Sequence, residues 1–282
     1  MMNTPSATAR SRASGRLRLM LLSIMTVLFV SACSQRIGVS WADLTIANAN
    51  QDILVAYENS ITLVSRVNGF VVTEDMEGTT NNPDAAGTWR LRNSDAGSEY
   101  FTTPLRVGEV DGDQMLIIAD YNNRLYYANF DRACFSTQLG SCVDQEPPFV
   151  ELAGHVVADL GEDDERIYVP FAENDVVALN KGIYASDWDR DDDQERRRRF
   201  DETLTTAWTF ETERGVWAQP VVLDGSVYIA TMDHRLHRLD AETGEEQATI
   251  DLGSAIASSP VLYDGTPATD YADDVAVAPD PE

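Results

Sequence analysis

A β-hairpin that recurs four times with nearly constant spacing is the feature that most limits what this chain can fold into. Each copy starts with a short run of β-branched and aromatic residues, which is typical of a buried strand. A polar turn follows, and then a second strand with alternating character. In the last three copies twelve residues separate matching positions of the two strands, so one hairpin geometry is predicted to repeat. The first strands are residues 53–57, 116–120, 167–171 and 227–231, and the second strands are residues 61–64, 124–128, 175–179 and 235–239.

Two further strands recur around these hairpins. One precedes the hairpin, and Pro220 and Pro260 place two of its copies 40 residues apart. The other contains a tryptophan, Trp89 or Trp208. Four strands in about 40 residues indicate a blade of a β-propeller, and no long amphipathic helix pattern points to an α/β sheet instead. We therefore predict an all-β fold, a propeller of four-stranded blades. The preceding strands are residues 101–105, 217–223 and 256–263.

The best-formed copy, residues 208–245, resembles the PQQ-type (quinoprotein-like) β-propeller repeat. It contains Trp208 and the turn sequence Leu-Asp-Ala-Glu-Thr-Gly, which ends at Gly244 and is the hallmark of that repeat. Asp240 and Thr243 are expected to close this turn with side-chain to backbone hydrogen bonds. Gly244 is expected to take a positive φ, because it has no Cβ.

The resemblance covers residues 41–265. The number of blades is expected from the number of hairpins in this range. Four hairpins align, and a fifth copy begins with the strand at 256–263. After Gly265, however, residues 266–282 contain few β-branched residues and two late prolines, which oppose strand formation. We expect about four blades and part of a fifth, an incomplete ring, and an acidic disordered tail at residues 266–282.

The name of this repeat family does not by itself imply a quinone cofactor. Quinoprotein dehydrogenases that resemble the family use a larger ring, a central Ca²⁺ and a catalytic aspartate, whereas this chain has 282 residues and no adjacent cysteine pair. Ser258 and Ser259 lack a Gly-x-Ser-x-Gly elbow, and the three histidines are expected to be surface or packing residues. We therefore predict no cofactor, no metal and no catalytic residue, so the chain is not expected to be an enzyme. The histidines are His155, His234 and His237.

The first 32 residues have the pattern of an export signal. Four arginines precede an apolar run at residues 19–30. A membrane-spanning helix needs about 20 apolar residues, so this run is too short to be one. Val-Ser-Ala stands directly before Cys33 and completes a sequence that resembles the lipobox of bacterial lipoproteins. An ordinary signal peptide with a chance cysteine is the alternative. We expect lipid on Cys33 to anchor the protein at the extracytoplasmic face of a cell membrane, with residues 33–40 as a tether.

The two remaining cysteines, Cys134 and Cys142, lie eight residues apart in a polar stretch that is predicted to be a loop. Outside the cytoplasm such a pair is expected to form a disulfide. A metal-binding or redox dithiol is the alternative, but the sequence has no CxxC spacing and no histidine nearby.

Acidic residues dominate the composition, with 47 Asp and Glu against 21 Lys and Arg and a formal charge of −26. Such a surface repels phosphate backbones, which excludes nucleic-acid binding. A charged tract at residues 187–199 has aspartates at alternate positions, as Ca²⁺ loops do. Asp192 and Arg198, however, replace the glycine and the bidentate acid that such a loop requires. We expect this tract to be a solvated loop inserted between blades.

The sequence as a whole predicts a lipid-anchored, extracytoplasmic β-propeller that acts as a non-enzymatic protein-binding or assembly scaffold. A rigid propeller frame presents many loops on its two rims, which suits recognition. The expected partners are the membrane, through the lipid, and a protein. The alternatives are a fragment related to quinoprotein dehydrogenases and a ligand-binding or sensor ectodomain.

Overall fold

The computed structural model describes residues 45–46, 53–57, 59–64, 90–92, 100, 102–143 and 147–260. The predicted signal segment, Cys33, the tether, any strand beyond residue 260 and the predicted tail lie outside these residues. The described residues belong to one compact unit and form four antiparallel sheets. The strands are β1 Thr45–Ile46, β2 Ile53–Tyr57, β3 Ser60–Val64, β4 Arg90–Arg92, β5 Leu105–Val110, β6 Asp113–Ala119, β7 Arg124–Asn129, β8 Cys134–Ser136, β9 Phe149–Glu151, β10 Gly161–Glu162, β11 Arg166–Pro170, β12 Asp175–Asn180, β13 Thr206–Glu211, β14 Val221–Leu223, β15 Ser226–Ala230, β16 Arg235–Asp240 and β17 Glu246–Asp251.

Strands follow one another within each sheet in chain order. Sheet 1 contains β1 to β4, sheet 3 contains β10 to β13, and sheet 4 contains β14 to β17. Sheet 2 contains β5 to β8 and a fifth strand, because β8 and β9 pair with successive halves of β7. The predicted all-β fold built of four-stranded units is confirmed, and sheet 2 departs from it by one strand.

The central hairpins of sheets 2, 3 and 4 have the register that the sequence spacing predicted. Val227 lies opposite Leu239, the partners predicted twelve residues apart. The matching pairs in the two preceding sheets are Ile167 with Leu179 and Leu116 with Ala128.

Each sheet packs face to face against the next, and this stacking explains why the first hairpin strands are apolar without interruption. In β6, Leu116 and Ile118 pack towards sheet 1, whereas Met115 and Ile117 pack towards sheet 3. All four side chains are fully buried. A strand that is covered on both faces contributes apolar burial from every residue, so alternation disappears from its sequence.

The strand that precedes the hairpin begins later than predicted in sheets 2 and 4. In sheet 4 it begins at Val221, whereas the sequence suggested residue 217, and in sheet 2 it begins at Leu105, whereas the sequence suggested residue 101. The backbone N–H of Val216, just upstream of β14, donates instead to the carbonyl oxygen of Phe171 at 2.9 Å. This segment forms its backbone hydrogen bond with the neighbouring sheet 3, so it does not lengthen β14 in sheet 4.

The second half of the charged tract belongs to a helix, which corrects the prediction that the whole tract is a loop between blades. Helix α1, Asp193–Glu202, lies within sheet 3, between β12 and β13. Asp192 caps it by accepting from the backbone N–H groups of Gln194 and Glu195. The run of Gln, Glu and Arg residues favours helix, and Arg198 pairs with Glu202 one turn away at 2.9 Å. Along the described ranges, no helix is long and apolar enough to span a bilayer.

Cys134 and Cys142 are joined by a disulfide, with 5.6 Å between their Cα atoms. The bond lies at the edge of sheet 2 and not in a free loop. Cys134 begins β8, and Cys142 forms a β-bridge with Ser136. The disulfide therefore closes a small hairpin that runs back along β8.

Candidate functional site

Turns and connecting segments interlock along one rim of the described sheets. The turns between the second and third strands of sheets 3 and 4 end at this rim, as do the connectors that lead into these sheets, residues 152–160 and 212–220. The N–H of Ala172 donates to the carbonyl of His155 at 2.8 Å, and the N–H of Met232 donates to that of Gly215 at 3.0 Å. We call this side the turn rim. Its backbone groups are paired with one another, so the loops are held in place.

The turn between β6 and β7 belongs to the same rim and is fixed by a buried aspartate. Asp120 is fully buried, and its Oδ1 accepts from the N–H of Asn122 at 2.9 Å and from that of Arg124 at 3.0 Å. Asn123 has a φ of 63°, a conformation that asparagine tolerates better than most residues. This turn holds Tyr121 at the surface, 40% exposed.

Three solvent-accessible aromatic side chains lie on the turn rim, and two of them, Tyr121 and His155, are in contact. The ring of Tyr121 is 4.7 Å from that of His155. Trp217 is 45% exposed, and its indole N–H donates to the carbonyl of Ala172 at 3.2 Å. Glu173, the next residue, accepts from both the backbone N–H and the ring of His155. We refer to Tyr121, His155, Glu173 and Trp217 as the aromatic patch.

Carboxylates crowd beside the aromatic patch. Although burial opposes it, hydrogen bonds from His155 hold the pKa of Glu173 below its ordinary value. The pKa of Asp175 is raised, first by burial and then by the negative charges of Glu211 and Glu173. Asp175 and Glu211 lie directly opposite each other on β12 and β13. The rim therefore has concentrated negative charge next to exposed rings.

The turn singled out by the repeat motif lies at the opposite ends of the strands. Asp240 Oδ1 accepts from the N–H groups of Glu242 and Thr243, at 3.0 and 2.9 Å, and from the Thr243 hydroxyl at 3.1 Å. Gly244 has a φ of 73°. These bonds hold the pKa of Asp240 below its ordinary value, with the backbone hydrogen bond from Thr243 as the main cause. The motif residues stabilise a turn between β16 and β17 and have no contact with the aromatic patch.

That opposite rim also contains an open cleft of about 590 Å³ between sheets 3 and 4. It is lined largely by acidic turn residues, with two arginines on its walls. Asp163, in its lining, is satisfied by its own turn, since it accepts from the N–H groups of Glu165 and Arg166. Among the described residues, no three His, Cys, Asp or Glu side chains converge as a metal site would require.

The sequence alone did not reveal the aromatic patch. His155 was expected to be a lone surface or packing histidine, and Trp217 was placed in a strand. The other two histidines are not part of the patch. His237 is buried in β16 with Nδ1 2.8 Å from Glu246, and His234, with a φ of 80°, lies in the turn between β15 and β16 on the same rim. The available signal was that both His155 and Trp217 lie just before β-strands that begin a sheet, in segments that repeat as connectors.

Comparison with known proteins gives the fold and not a family. No protein-family model matches the chain, and no curated protein matches it significantly. Among solved structures, BamB from Moraxella catarrhalis superposes with a TM-score of 0.50 and 16% identity, over 79% of this chain and 54% of BamB. The fold is that of a β-propeller. Each sheet described above is accordingly a blade.

Two other solved structures match this chain at TM-scores below 0.50. BBS1N in complex with ARL6DN has a TM-score of 0.46 and 13% identity, over 77% of this chain and 54% of that one. Sqt1 of Saccharomyces cerevisiae has a TM-score of 0.48 and 10% identity, over 78% and 52%. The chain spans about half the length of each of these structures. The resemblance to PQQ-type repeats stays a prediction.

Proposed function

We propose that this chain is a lipid-anchored, extracytoplasmic β-propeller whose turn rim binds a protein partner as a non-enzymatic scaffold. The observation that carries the proposal is the aromatic patch: Tyr121 and Trp217 are large side chains, are 40% and 45% exposed, and are held on a rim whose backbone hydrogen bonds are satisfied. Tyrosine and tryptophan are enriched at the centres of protein interfaces.

The patch is suited to protein binding because it is ordered in advance. Trp217 is fixed through its indole N–H, and His155 is fixed through Glu173, with the Tyr121 ring against it. Binding to side chains that are already immobilised costs little conformational entropy. A rigid aromatic surface therefore loses less affinity to the ordering of its side chains on binding.

The proposed location is supported by two features of the sequence and structure. The lipobox-like sequence at Cys33 follows a short apolar run, as expected for a lipid-modified exported protein. The disulfide between Cys134 and Cys142 suits an oxidising compartment, because such bonds are rare in reducing ones.

Site-specific photo-crosslinking in the native envelope tests the proposal. A photoreactive amino acid at Asn174, an exposed turn residue next to Glu173, is expected to give a discrete protein adduct. The same group at Glu242, an exposed turn residue on the opposite rim, is the matched control and is expected to give none. Trp217→Ala should abolish the adduct from position 174. Equal crosslinking from both rims, or none from the turn rim, would contradict a binding role for the patch.

A further inference from the structure

We propose that the aromatic patch, together with the neighbouring carboxylates of Asp175 and Glu211, binds a cationic segment of its protein partner, an extended stretch that presents arginine or lysine side chains. This inference rests on the proposed function and specifies the chemistry of the partner. It follows from three features of the rim: uncompensated carboxylates, an exposed indole, and a hydrogen bond that holds the indole against the turn before Asp175.

The first feature is a pair of carboxylates that no cation neutralises within the described residues. Asp175 and Glu211 face each other across β12 and β13, and neither has an ion-pair partner there. The neighbouring acids are already occupied, since Glu173 binds His155 and Glu213 binds Arg235 at 3.0 Å. Like charges directly opposite on a sheet are unfavourable, so a bound cation would relieve a repulsion built into the free protein.

Burial strengthens this effect. Asp175 is only partly exposed, and its Oδ1 is buried without a hydrogen-bond partner among the described atoms. The raised pKa of Asp175 has the same physical origin, because burial and the two nearby carboxylates disfavour its charged form. A guanidinium group or an ammonium group has several N–H donors and would supply both the missing charge and the missing hydrogen bond.

The second feature is the indole of Trp217, which is 45% exposed. The N–H of Trp217 is already donated to the carbonyl of Ala172, so a partner meets the ring and not its polar atom. Ring faces attract cations, and tryptophan does so most strongly. Guanidinium groups also stack flat on aromatic rings, which makes arginine the better of the two cationic residues for this site.

The third feature is the chain geometry that brings ring and carboxylates together. Ala172, which accepts from Trp217, lies in the turn between β11 and β12, and Asp175 is the first residue of β12 after this turn. Gly215 allows the close approach, because a Cβ at that position would collide with the Ala172 carbonyl. The indole therefore lies against the turn that leads into Asp175, and an extended cationic segment that follows this turn is expected to meet first the indole and then the carboxylates.

The opposite rim provides an internal control. It also has exposed acids, Asp164 and Glu242 among them, around the cleft between sheets 3 and 4. Its cleft is lined by Arg166 and Arg238, and no aromatic side chain is part of the lining. Non-specific attraction of cations to a chain of charge −26 would occur at both rims. A specific binding site would bind the cationic segment at the turn rim alone.

The test uses the full chain, purified in neutral detergent, and three nine-residue peptides that differ only in two central residues. These residues are arginine in the probe, citrulline in the uncharged control and glutamate in the acidic control. Binding is followed by the indole N–H signal of Trp217 in NMR spectra. We expect the arginine peptide to shift this signal saturably, with at least fivefold weaker binding of the citrulline peptide and no binding of the glutamate peptide.

Two charge-removing variants locate the site. Asp175→Asn with Glu211→Gln should weaken arginine-peptide binding at least fivefold, whereas Asp164→Asn with Glu242→Gln should leave it unchanged. Circular dichroism and melting temperature check that each variant is folded. Equal weakening by both variants, or equal binding of the arginine and citrulline peptides, would overturn the inference. If the crosslink from position 174 forms but the arginine peptide does not bind, the cationic partner is wrong while the scaffold function stands.

Discussion

At the scale of single residues, Gly244 shows why the repeat motif has a glycine at this position. Its φ of 73° suits a residue without a Cβ, and a Cβ built there would lie 2.6 Å from the ring of Trp208. Trp208, on the last strand of sheet 3, donates its indole N–H to the carbonyl of Ala241 at 3.1 Å. The motif turn of one blade is thus the docking surface for the tryptophan of the preceding blade.

Replacing Gly244 by alanine should therefore destabilise the protein through packing as well as backbone strain. Gly225 has a similar φ of 71° but no neighbouring atom within 4 Å of a built Cβ, so Gly225→Ala is the matched control. Overpacking costs about 1–3 kcal/mol, so Gly244→Ala should lower the free energy of unfolding by about that much more than Gly225→Ala does. Urea unfolding measures both. Equal losses would mean that the contact with Trp208 contributes nothing.

Asp175 should make stability depend on pH in a predictable direction. Its pKa is raised in the folded state by burial and by Glu211 and Glu173. The cost of ionising it is therefore absent below its unfolded pKa of about 3.9 and complete above its folded pKa. Asp175→Asn should raise the melting temperature at pH 7 and have a smaller effect at pH 3. Asp164→Asn is the control, and a larger gain at pH 3 would contradict the assignment.

At the scale of elements, the hairpins and helix α1 differ in how well their structure can be predicted from local sequence. The hairpin between β15 and β16 is determined locally, because its apolar residues and polar turn recur at a fixed spacing in the other blades. Helix α1 has equally local signals, the cap Asp192 and the Glu–Arg spacing, but its density of charge suggested a solvated loop. Tertiary contacts hold it against sheet 3, where Arg199 binds Glu165.

The disulfide of sheet 2 should stabilise the protein measurably. Closing a loop of eight residues restricts the unfolded chain, which for such short loops is worth roughly 2–3 kcal/mol. The double variant Cys134→Ser, Cys142→Ser should unfold at a correspondingly lower urea concentration. Reductant should bring the unmodified protein to the same midpoint and leave the variant unaffected. A variant as stable as the unmodified protein would show that pairing along β8 already suffices.

At the scale of the whole molecule, binding and stability are expected to separate. The cores lie between blades, whereas the aromatic patch lies on the rim and contributes little to them. The lipid anchor is likewise expected at Cys33, ahead of the described residues.

Membrane attachment can be tested without disturbing the fold. Cys33→Ser should leave a product that is not acylated and that is found in the soluble fraction or as an unprocessed precursor, with an unchanged melting temperature. Mass spectrometry of the N-terminal peptide and membrane fractionation measure this. An unmodified Cys33 in the native protein would remove the basis for the anchor.

The hairpins, their register, the all-β character of the fold and the turn at Asp240 can be predicted from the sequence. Each of these depends on side-chain alternation or on hydrogen bonds between residues close in the chain. The sequence also predicts which cysteines form the disulfide, because only Cys134 and Cys142 remain once Cys33 is taken as the lipid-modified residue. Tertiary structure alone decided which distant residues meet. Trp208 reaches Gly244, and Tyr121 reaches His155, only because blades stack and their turns align on one rim. No local pattern encodes such contacts, since they depend on how whole sheets pack against each other.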